Sequence, residues 1–210
     1  FLVSEVERKQ GRISWRTNPD GSQSPYEMNI NFLSALSEPG EAPDTQVARF
    51  AAAHAILFML QGVPAIYYHS LLGSENDIAG LNASGINRRI NREKLDFATT
   101  HQALVTPESR QAKIYAALTT LLRIRQQHPA FSPAAAQQVL TLPDALFGVK
   151  RHHQTEEETV YGIVNVTGAS QTLFLPVTGT DLLTGTPFNG VCELAGWQTI
   201  WIHVKAQPEA

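Results

Sequence analysis

Cysteine is nearly absent: Cys192 stands alone in 210 residues, so no disulfide can form within the chain. A free thiol is most at home in a reducing compartment, and the cytoplasm is the expected location. Charge is scarce too. Asp, Glu, Lys and Arg make up 17% of the residues and nearly cancel, leaving a formal net charge of −3. A nucleic-acid partner calls for a basic surface that this balance does not supply. Long apolar runs are missing as well. The most hydrophobic stretch, residues 51–60 "AAAHAILFML", is half the length of a membrane span and contains His54, and no charged-then-apolar leader opens the sequence, so no membrane partner is expected. Nor is there a phosphate-binding glycine loop, a nucleophile elbow, or a His or Cys cluster with metal-ligand spacing. His152-His153 is a lone pair beside an acidic run. No catalytic residue, no metal site and no cofactor is therefore assigned.

What is present is a core, with 43% hydrophobic residues and enough length for one large domain or two small ones. "FLVSEVERKQG" reads as the end of an amphipathic helix closed by Gly11, so the chain looks like a piece of something longer. Asn18-Pro19-Asp20-Gly21 is a turn signal inside an apparently irregular polar segment, and "EMNINFL" alternates as a short strand does. Val47, Phe50, Ala51, His54, Ala55, Phe58 and Met59 then line one face of a helix over residues 44–61. His54 on that face reads as a hydrogen-bonded core histidine rather than a ligand. Gly62 ends the helix, and "VPAIYYH", residues 63–69, has the continuous apolar character of a strand buried on both faces of a parallel sheet. The long loop expected over residues 70–97 leaves the carboxyl end of that strand, where α/β folds bind ligands.

Thr106-Pro107-Glu108 opens a second helix, whose stripe of Ile114, Tyr115, Leu118, Leu121, Leu122 and Arg125 runs to about Gln127. After residue 137 come six β-rich runs with no helical period: "VLTLP", "ALFGVKRH", "TVYGIVNV", "QTLFLP", "DLLTGTPF" and "WQTIWIHV". They predict an antiparallel sandwich or sheet domain. Glu156, Glu157 and Glu158 between two of the runs read as a solvated hairpin tip. Trp197 and Trp201, four apart in the last run, are expected to face the core together.

One stretch of the loop stands out. "GINRRINREKL", residues 85–95, holds Asn-Arg pairs at 87–88 and 91–92. Arginine offers a rigid donor fork for carboxylate, phosphate or paired hydroxyls, and asparagine adds a donor and an acceptor. An anionic or polyhydroxylated ligand fits these groups; so does a surface cluster paired with Glu75, Asp77, Glu93 and Asp96, and spacing alone leaves both readings open. Glu75 and Asp77 in "GSENDIAG" are preferred as turn-stabilising groups over a catalytic carboxylate pair.

"SWRTNPDGSQSPYEMNINFLSAL", "QGVPAIYYHSLLGSENDIAGL", "GINRRINREKL" and "DLLTGTPF" resemble, in this order, the carboxyl-terminal part of the sucrose-phosphorylase-like enzymes of glycoside hydrolase family 13. The "NPDGSQSPYE" form looks more like the glucosylglycerate phosphorylase branch than sucrose phosphorylase proper. The resemblance implies an α/β part followed by an all-β part. Residues 1–130 would be the last portion of a (β/α)8 barrel, and residues 131–210 a small antiparallel β-sandwich domain. It implies a retaining transfer of glucose, through a covalent glucosyl-enzyme, from an α-glucoside to inorganic phosphate. Arg92 would bind donor-glucose hydroxyls, with Asn91 and Arg88 shaping the loop, and Tyr26 and Glu27 would belong to a mobile acceptor or phosphate loop. The family's nucleophile, acid/base and stabilising carboxylates all precede the region where Phe1 falls. The missing amino-terminal part of the same enzyme is therefore an expected partner, and the isolated chain is expected to be inactive, with an unpaired strand edge that limits its solubility. A non-catalytic carbohydrate-binding protein is the alternative.

Overall fold

The computed structural model describes residues 1–204; residues 205–210, the end of the expected β domain, lie outside the described residues. The elements in chain order are α1 (Leu2–Arg8), β1 (Arg12–Thr17), β2 (Gln23–Asn29), α2 (Phe32–Leu36), α3 (Pro43–Met59), α4 (Tyr68–Leu71), α5 (Ile78–Ser84), α6 (Phe97–Val105), α7 (Arg110–Gln127), and then β3 (Ala136–Val139), β4 (Leu146–His153), β5 (Glu158–Asn165), β6 (Gln171–Asp181), β7 (Pro187–Leu194) and β8 (Thr199–Val204). Short 3₁₀ turns cover Asn87–Asn91 and Pro129–Phe131. The chain packs as two compact units, one of Phe1–Val47 with Ile66–Tyr115, the other of Ala48–Ala65 with the chain from Ala116 on.

In the first unit, β1 and β2 form an antiparallel hairpin across the Asn18–Gly21 turn, so the segment expected to be irregular is paired backbone. The turn is held as its residues suggest: Asp20 accepts the Ser22 amide at 2.9 Å, and Asn18 donates to Ser22 Oγ at 3.0 Å. The strand read into "EMNINFL" stops at Asn29, because Asn31 caps α2 by accepting the Leu33 amide at 3.1 Å. A larger correction concerns residues 63–69. They form no strand: residues 63–67 are irregular and Tyr68 begins α4. A strand exists only where a neighbour completes its ladder, and no described segment pairs with this one. The long loop beyond it is more structured than expected, since Asp77 caps α5 by accepting the Gly80 amide at 2.7 Å, and Gly85 closes α5 at φ 66°.

In the second unit, β3 to β8 make one six-stranded antiparallel sheet in the order β3-β4-β5-β8-β6-β7, rather than the two sheets of a sandwich. Its two halves nevertheless share one core: Leu146, Ile163, Ile200 and Ile202 from β4, β5 and β8 cluster with Leu173, Leu175, Phe188 and Leu194 from β6 and β7. As strands the halves are paired only where Thr180 and Asp181 meet His203 and Ile202. Residues 182–186, "LLTGT", connect β6 and β7 rather than forming a strand, and "PFNGVCEL" is the strand instead.

The other face of β5 and β8 carries Gly162 and Trp201, opposed in register, with Met59 of α3 against Gly162 and the Phe131 ring 4.7 Å from that of Trp201. Trp201 is fully buried there. Trp197 does not accompany it; it precedes β8 at φ 62°, with the Arg49 guanidinium 4.6 Å over its ring. Four-residue spacing places two side chains on one face only inside a regular strand.

Two arginines close α3. Arg125 of α7 donates to the carbonyls of Phe58 and Gly62, and Arg151 of β4 donates to those of Met59, Ser132 and Ala135. Helix ends leave such carbonyls without intrahelical partners and carry partial negative charge, so buried guanidinium groups suit this place. That explains Arg125 within an otherwise apolar stripe. His54 is the core histidine expected, 2.9 Å by its Nδ1 from the Phe50 carbonyl, with burial holding it below its ordinary pKa. The helix expected from Thr106 starts at Arg110, where Ser109 Oγ accepts the Ala112 amide at 3.0 Å.

Candidate functional site

The five residues singled out in the sequence all lie in the first unit. Tyr26 and Glu27 sit on β2, where the register slips: Ser14 pairs with Glu27 and Trp15 with Pro25, so Tyr26 is the extra residue of a bulge. A bulge re-aims its extra side chain, and Tyr26 is 64% exposed. Glu27 accepts Arg88 Nε at 2.9 Å.

The Asn-Arg motif folds as the 3₁₀ turn Asn87–Asn91, and most of its groups are spent holding it in place. Ile90 is fully buried, and its carbonyl accepts the Asp77 amide at 2.7 Å. Asn87 donates to the Ile13 carbonyl at 3.4 Å, and Tyr67 Oη donates to the Asn91 carbonyl at 3.3 Å. Arg89, which the sequence did not single out, lies 3.1 Å from Asp77 Oδ2 and also donates to the Arg92 carbonyl. Arg92 itself is exposed and makes no ion pair among the described residues. Two of the motif's three guanidinium groups, those of Arg88 and Arg89, are thus paired, and the third, that of Arg92, is presented to its surroundings.

Beside it, the rings of Tyr67, Tyr68 and His69 pack edge-on and tilted, with those of Tyr68 and His69 4.0 Å apart. His69 is buried; its Nδ1 lies 3.0 Å from Ser74 Oγ and its Nε2 has no hydrogen-bond partner. Burial first, and then the charge of Arg89, hold His69 below the usual histidine range. Burial pushes the Tyr68 hydroxyl up, and Tyr67 adds to it. The only sequence signal for this cluster was the "YYH" tripeptide, which was absorbed into the strand reading.

Guanidinium forks beside exposed phenols suit an anionic or polyhydroxylated ligand. Acid/base chemistry at a sugar needs two placed carboxylates, and three of the acids near the turn are otherwise engaged. Glu75 pairs with Arg110 at 2.6 Å, Asp77 with Arg89, and Glu27 with Arg88. A cleft of about 590 Å³ runs along Ser74, Asp77, Glu93, Asp96 and Arg110; none of the five singled-out residues is on its walls. In the second unit, His128, Glu158 and His203 form the one group of metal-ligand type among the described residues.

The glucosylglycerate phosphorylase of Allomeiothermus silvanus is 42% identical to this chain over 203 residues, which is 96% of the chain and 35% of the relative. That of Escherichia coli is 33% identical over 96% of the chain and 36% of the relative. The chain belongs to the sucrose-phosphorylase-like enzymes of glycoside hydrolase family 13. The match is to the carboxyl-terminal part of these phosphorylases, of whose length the chain spans about a third. A sucrose phosphorylase of Agrobacterium vitis is 32% identical over 62% of the chain and 25% of its own length. Among solved structures, the sucrose 6F-phosphate phosphorylase of Thermoanaerobacter thermosaccharolyticum superposes with a TM-score of 0.63 over 79% of the chain and 31% of that enzyme, at 18% identity. An α-amylase of Geobacillus thermoleovorans gives a TM-score of 0.65 over 85% of the chain and 37% of its own, at 18% identity. These likenesses show the glycoside hydrolase family 13 fold. No protein-family model matches the chain. Among the described residues no helix is long and apolar enough to cross a membrane.

Proposed function

We propose that this chain is the carboxyl-terminal portion of a retaining glucoside phosphorylase that transfers glucose from glucosylglycerate to inorganic phosphate, giving glucose 1-phosphate. The observation that carries the substrate is the extent of the match: two glucosylglycerate phosphorylases match over 96% of the chain and a third over 83%, whereas the sucrose phosphorylase of Agrobacterium vitis matches over 62%. In this reading residues 1–130 complete a (β/α)8 barrel and residues 131–210 form its β domain. Preceding polypeptide supplies the nucleophile and the acid/base, so the 210-residue chain alone turns nothing over. The exposed Trp15, Tyr26, Met28, Tyr67, Tyr68 and Ile86 of the first unit support such a covering partner, because a folded surface rarely leaves so many large apolar side chains in water. The lone thiol, Cys192, supports a cytoplasmic setting.

Within the site, the unpaired guanidinium of Arg92 donates its fork to adjacent glucose hydroxyls, and Asn91 and Arg88 hold the turn that presents it. Tyr26, on its bulge, and Glu27 meet the acceptor or the incoming phosphate. A carboxylate displaces the aglycone with inversion and phosphate displaces the carboxylate with a second inversion, which together retain the anomeric configuration.

The test is to join this chain to the polypeptide encoded directly upstream of it and to follow phosphate-dependent release of glucose 1-phosphate. Glucosylglycerate is expected to be consumed at least tenfold faster than sucrose, and Arg92→Lys is expected to raise KM for both. Release of free glucose without phosphate, a preference for sucrose, or an unchanged KM in the Arg92 variant would each overturn part of the reading.

A further inference from the structure

We propose that His128, Glu158 and His203 form a binding site for a zinc-type divalent ion that ties the end of α7 to β5 and β8. The three donors arrive from three parts of the second unit. His128 follows the last residue of α7, Glu158 is the first residue of β5, and His203 lies one residue before the end of β8. Val160 pairs with His203 across the β5–β8 ladder, so Glu158, two residues before Val160, projects from the same face as His203. His128 reaches that face from the 3₁₀ turn that packs against it.

The donors lie close together. Glu158 Oε1 lies 2.6 Å from His128 Nδ1 and 3.3 Å from His203 Nε2, and one donor atom from each residue falls within 4.8 Å of the others. A tetrahedral zinc ion with nitrogen and oxygen ligands at ~2.0–2.1 Å sets those atoms about 3.3 Å apart. The His203 to Glu158 separation already has this value, and the His128 imidazole has to withdraw by only about 0.7 Å. The other carboxylate oxygen is held: Glu158 Oε2 accepts the Ala130 amide at 2.8 Å. An outer hydrogen bond of this kind orients a ligating carboxylate and leaves its partner oxygen for the ion. The three side chains are 18%, 11% and 19% exposed, which excludes bulk water and keeps an opening for a fourth ligand. Two imidazoles with one carboxylate select zinc-type ions over magnesium or calcium, which prefer all-oxygen shells.

The experiment is calorimetric titration of the 210-residue chain, purified without a polyhistidine tag, with Zn²⁺ alone. One equivalent is expected to bind, excess Mg²⁺ is expected not to compete, and the thermal midpoint is expected to climb as free Zn²⁺ rises above its dissociation constant. Glu158→Gln and His203→Gln are each expected to weaken binding at least tenfold, while the paired change His152→Gln with His153→Gln leaves it unaltered. No saturable one-to-one binding overturns the proposal, as does full binding in both the Glu158 and His203 variants. Should those variants fail to fold, X-ray absorption of the zinc-loaded wild-type chain decides: two imidazoles and light oxygen scatterers support the site, and sulfur or an all-oxygen shell overturns it.

Discussion

Arg88 Nε lies 2.9 Å from Glu27 Oε2, joining the turn that carries the Asn-Arg motif to the hairpin strand that carries Tyr26. The two residues are 61 positions apart, and each was singled out in the sequence for a role at a ligand. Their contact shows that the two segments meet, and it shows what occupies Arg88. The Glu27 carboxylate holds its guanidinium protonated above the usual range. The cation left for a ligand is Arg92.

Because Arg88 and Glu27 are 51% and 34% exposed, their attraction is screened by water and salt. Arg88→Ala and Glu27→Gln are each expected to lower the thermal midpoint by less than about 3 °C. The double variant should lose no more than the worse single one. Raising NaCl to about 1 M should erase the difference from wild type, since the screening length is then only ~3 Å. Thermal denaturation of the four proteins at two salt concentrations measures this; strictly additive losses would show that the pair is not coupled.

Arg151 behaves oppositely, because nothing screens it. It is fully buried and donates to the carbonyls of Met59, Ser132 and Ala135 at 2.9, 2.7 and 3.2 Å. Arg151→Leu fills much of the space but orphans the Met59 and Ala135 carbonyls, while the Ser132 carbonyl keeps the Ala135 amide at 3.0 Å; the loss is expected to be roughly 2–4 kcal/mol at about 1–3 kcal/mol per orphaned carbonyl with partial relaxation. Burial, with the charge of Arg125 behind it, brings Arg151 down to about 10. The unfolded chain therefore binds the extra proton only above pH 10, and through neutral pH the loss should be constant. Urea unfolding at pH 6, 7 and 8 checks both the size and the flatness.

Much of this architecture was written in hydrophobic period. α3 and α7 follow their 3.6-residue stripes, and four of the six β runs fall on strands, while "VLTLP" begins on the last residue of β3 and "DLLTGTPF" spans a turn. The hairpin β1–β2 escaped because it is mostly exposed, so its side chains do not alternate between core and water. Residues 63–69 misled in the other direction: their composition is that of a buried strand, yet a strand needs a neighbour. Glu158 shows a third kind of failure. It closes a run of three glutamates and read as solvated, but β5 turns it inward to His128, and sequence spacing holds no trace of a cluster drawn from three distant segments. At the candidate site, Arg88 and Arg92 were legible as residue types, while the structural work of Arg89 and Asp77 depended on a fold not yet known.

His54 should make the second unit acid-sensitive. It is 2% exposed between Phe50 and Phe58, and burial lowers its pKa below 6.5. The unfolded chain thus binds more protons than the folded one as pH falls below 6.5, so the stability due to neutral His54 is complete above that value and lost on acidification. His54→Leu, which cannot charge, is expected to shrink the drop in urea midpoint between pH 7.5 and pH 5. An undiminished drop would assign the acid limb to other groups.

Asp181 is where the two halves of the β sheet are held together. As strands the halves pair only through Thr180 with His203 and Asp181 with Ile202, and the Leu182 amide adds a bond to the Trp201 carbonyl at 2.7 Å, so the join has little backbone bonding of its own. Asp181, 3% exposed, adds three side-chain bonds: Oδ1 accepts the amides of Leu183 at 3.1 Å and Trp201 at 3.0 Å, and Oδ2 accepts Thr184 Oγ1 at 2.7 Å. Asp181→Ala leaves the buried Trp201 amide and the half-buried Leu183 amide without this acceptor and is expected to cost about 2–3 kcal/mol. Asp181→Asn keeps one acceptor oxygen toward both amides, loses only the Thr184 contact, and should recover over half of that loss. Because Trp201 is one of the partners, the alanine variant should also weaken the near-ultraviolet circular dichroism of its buried indole. If asparagine were as damaging as alanine, the carboxylate charge rather than its acceptor geometry would be what joins β6 to β8.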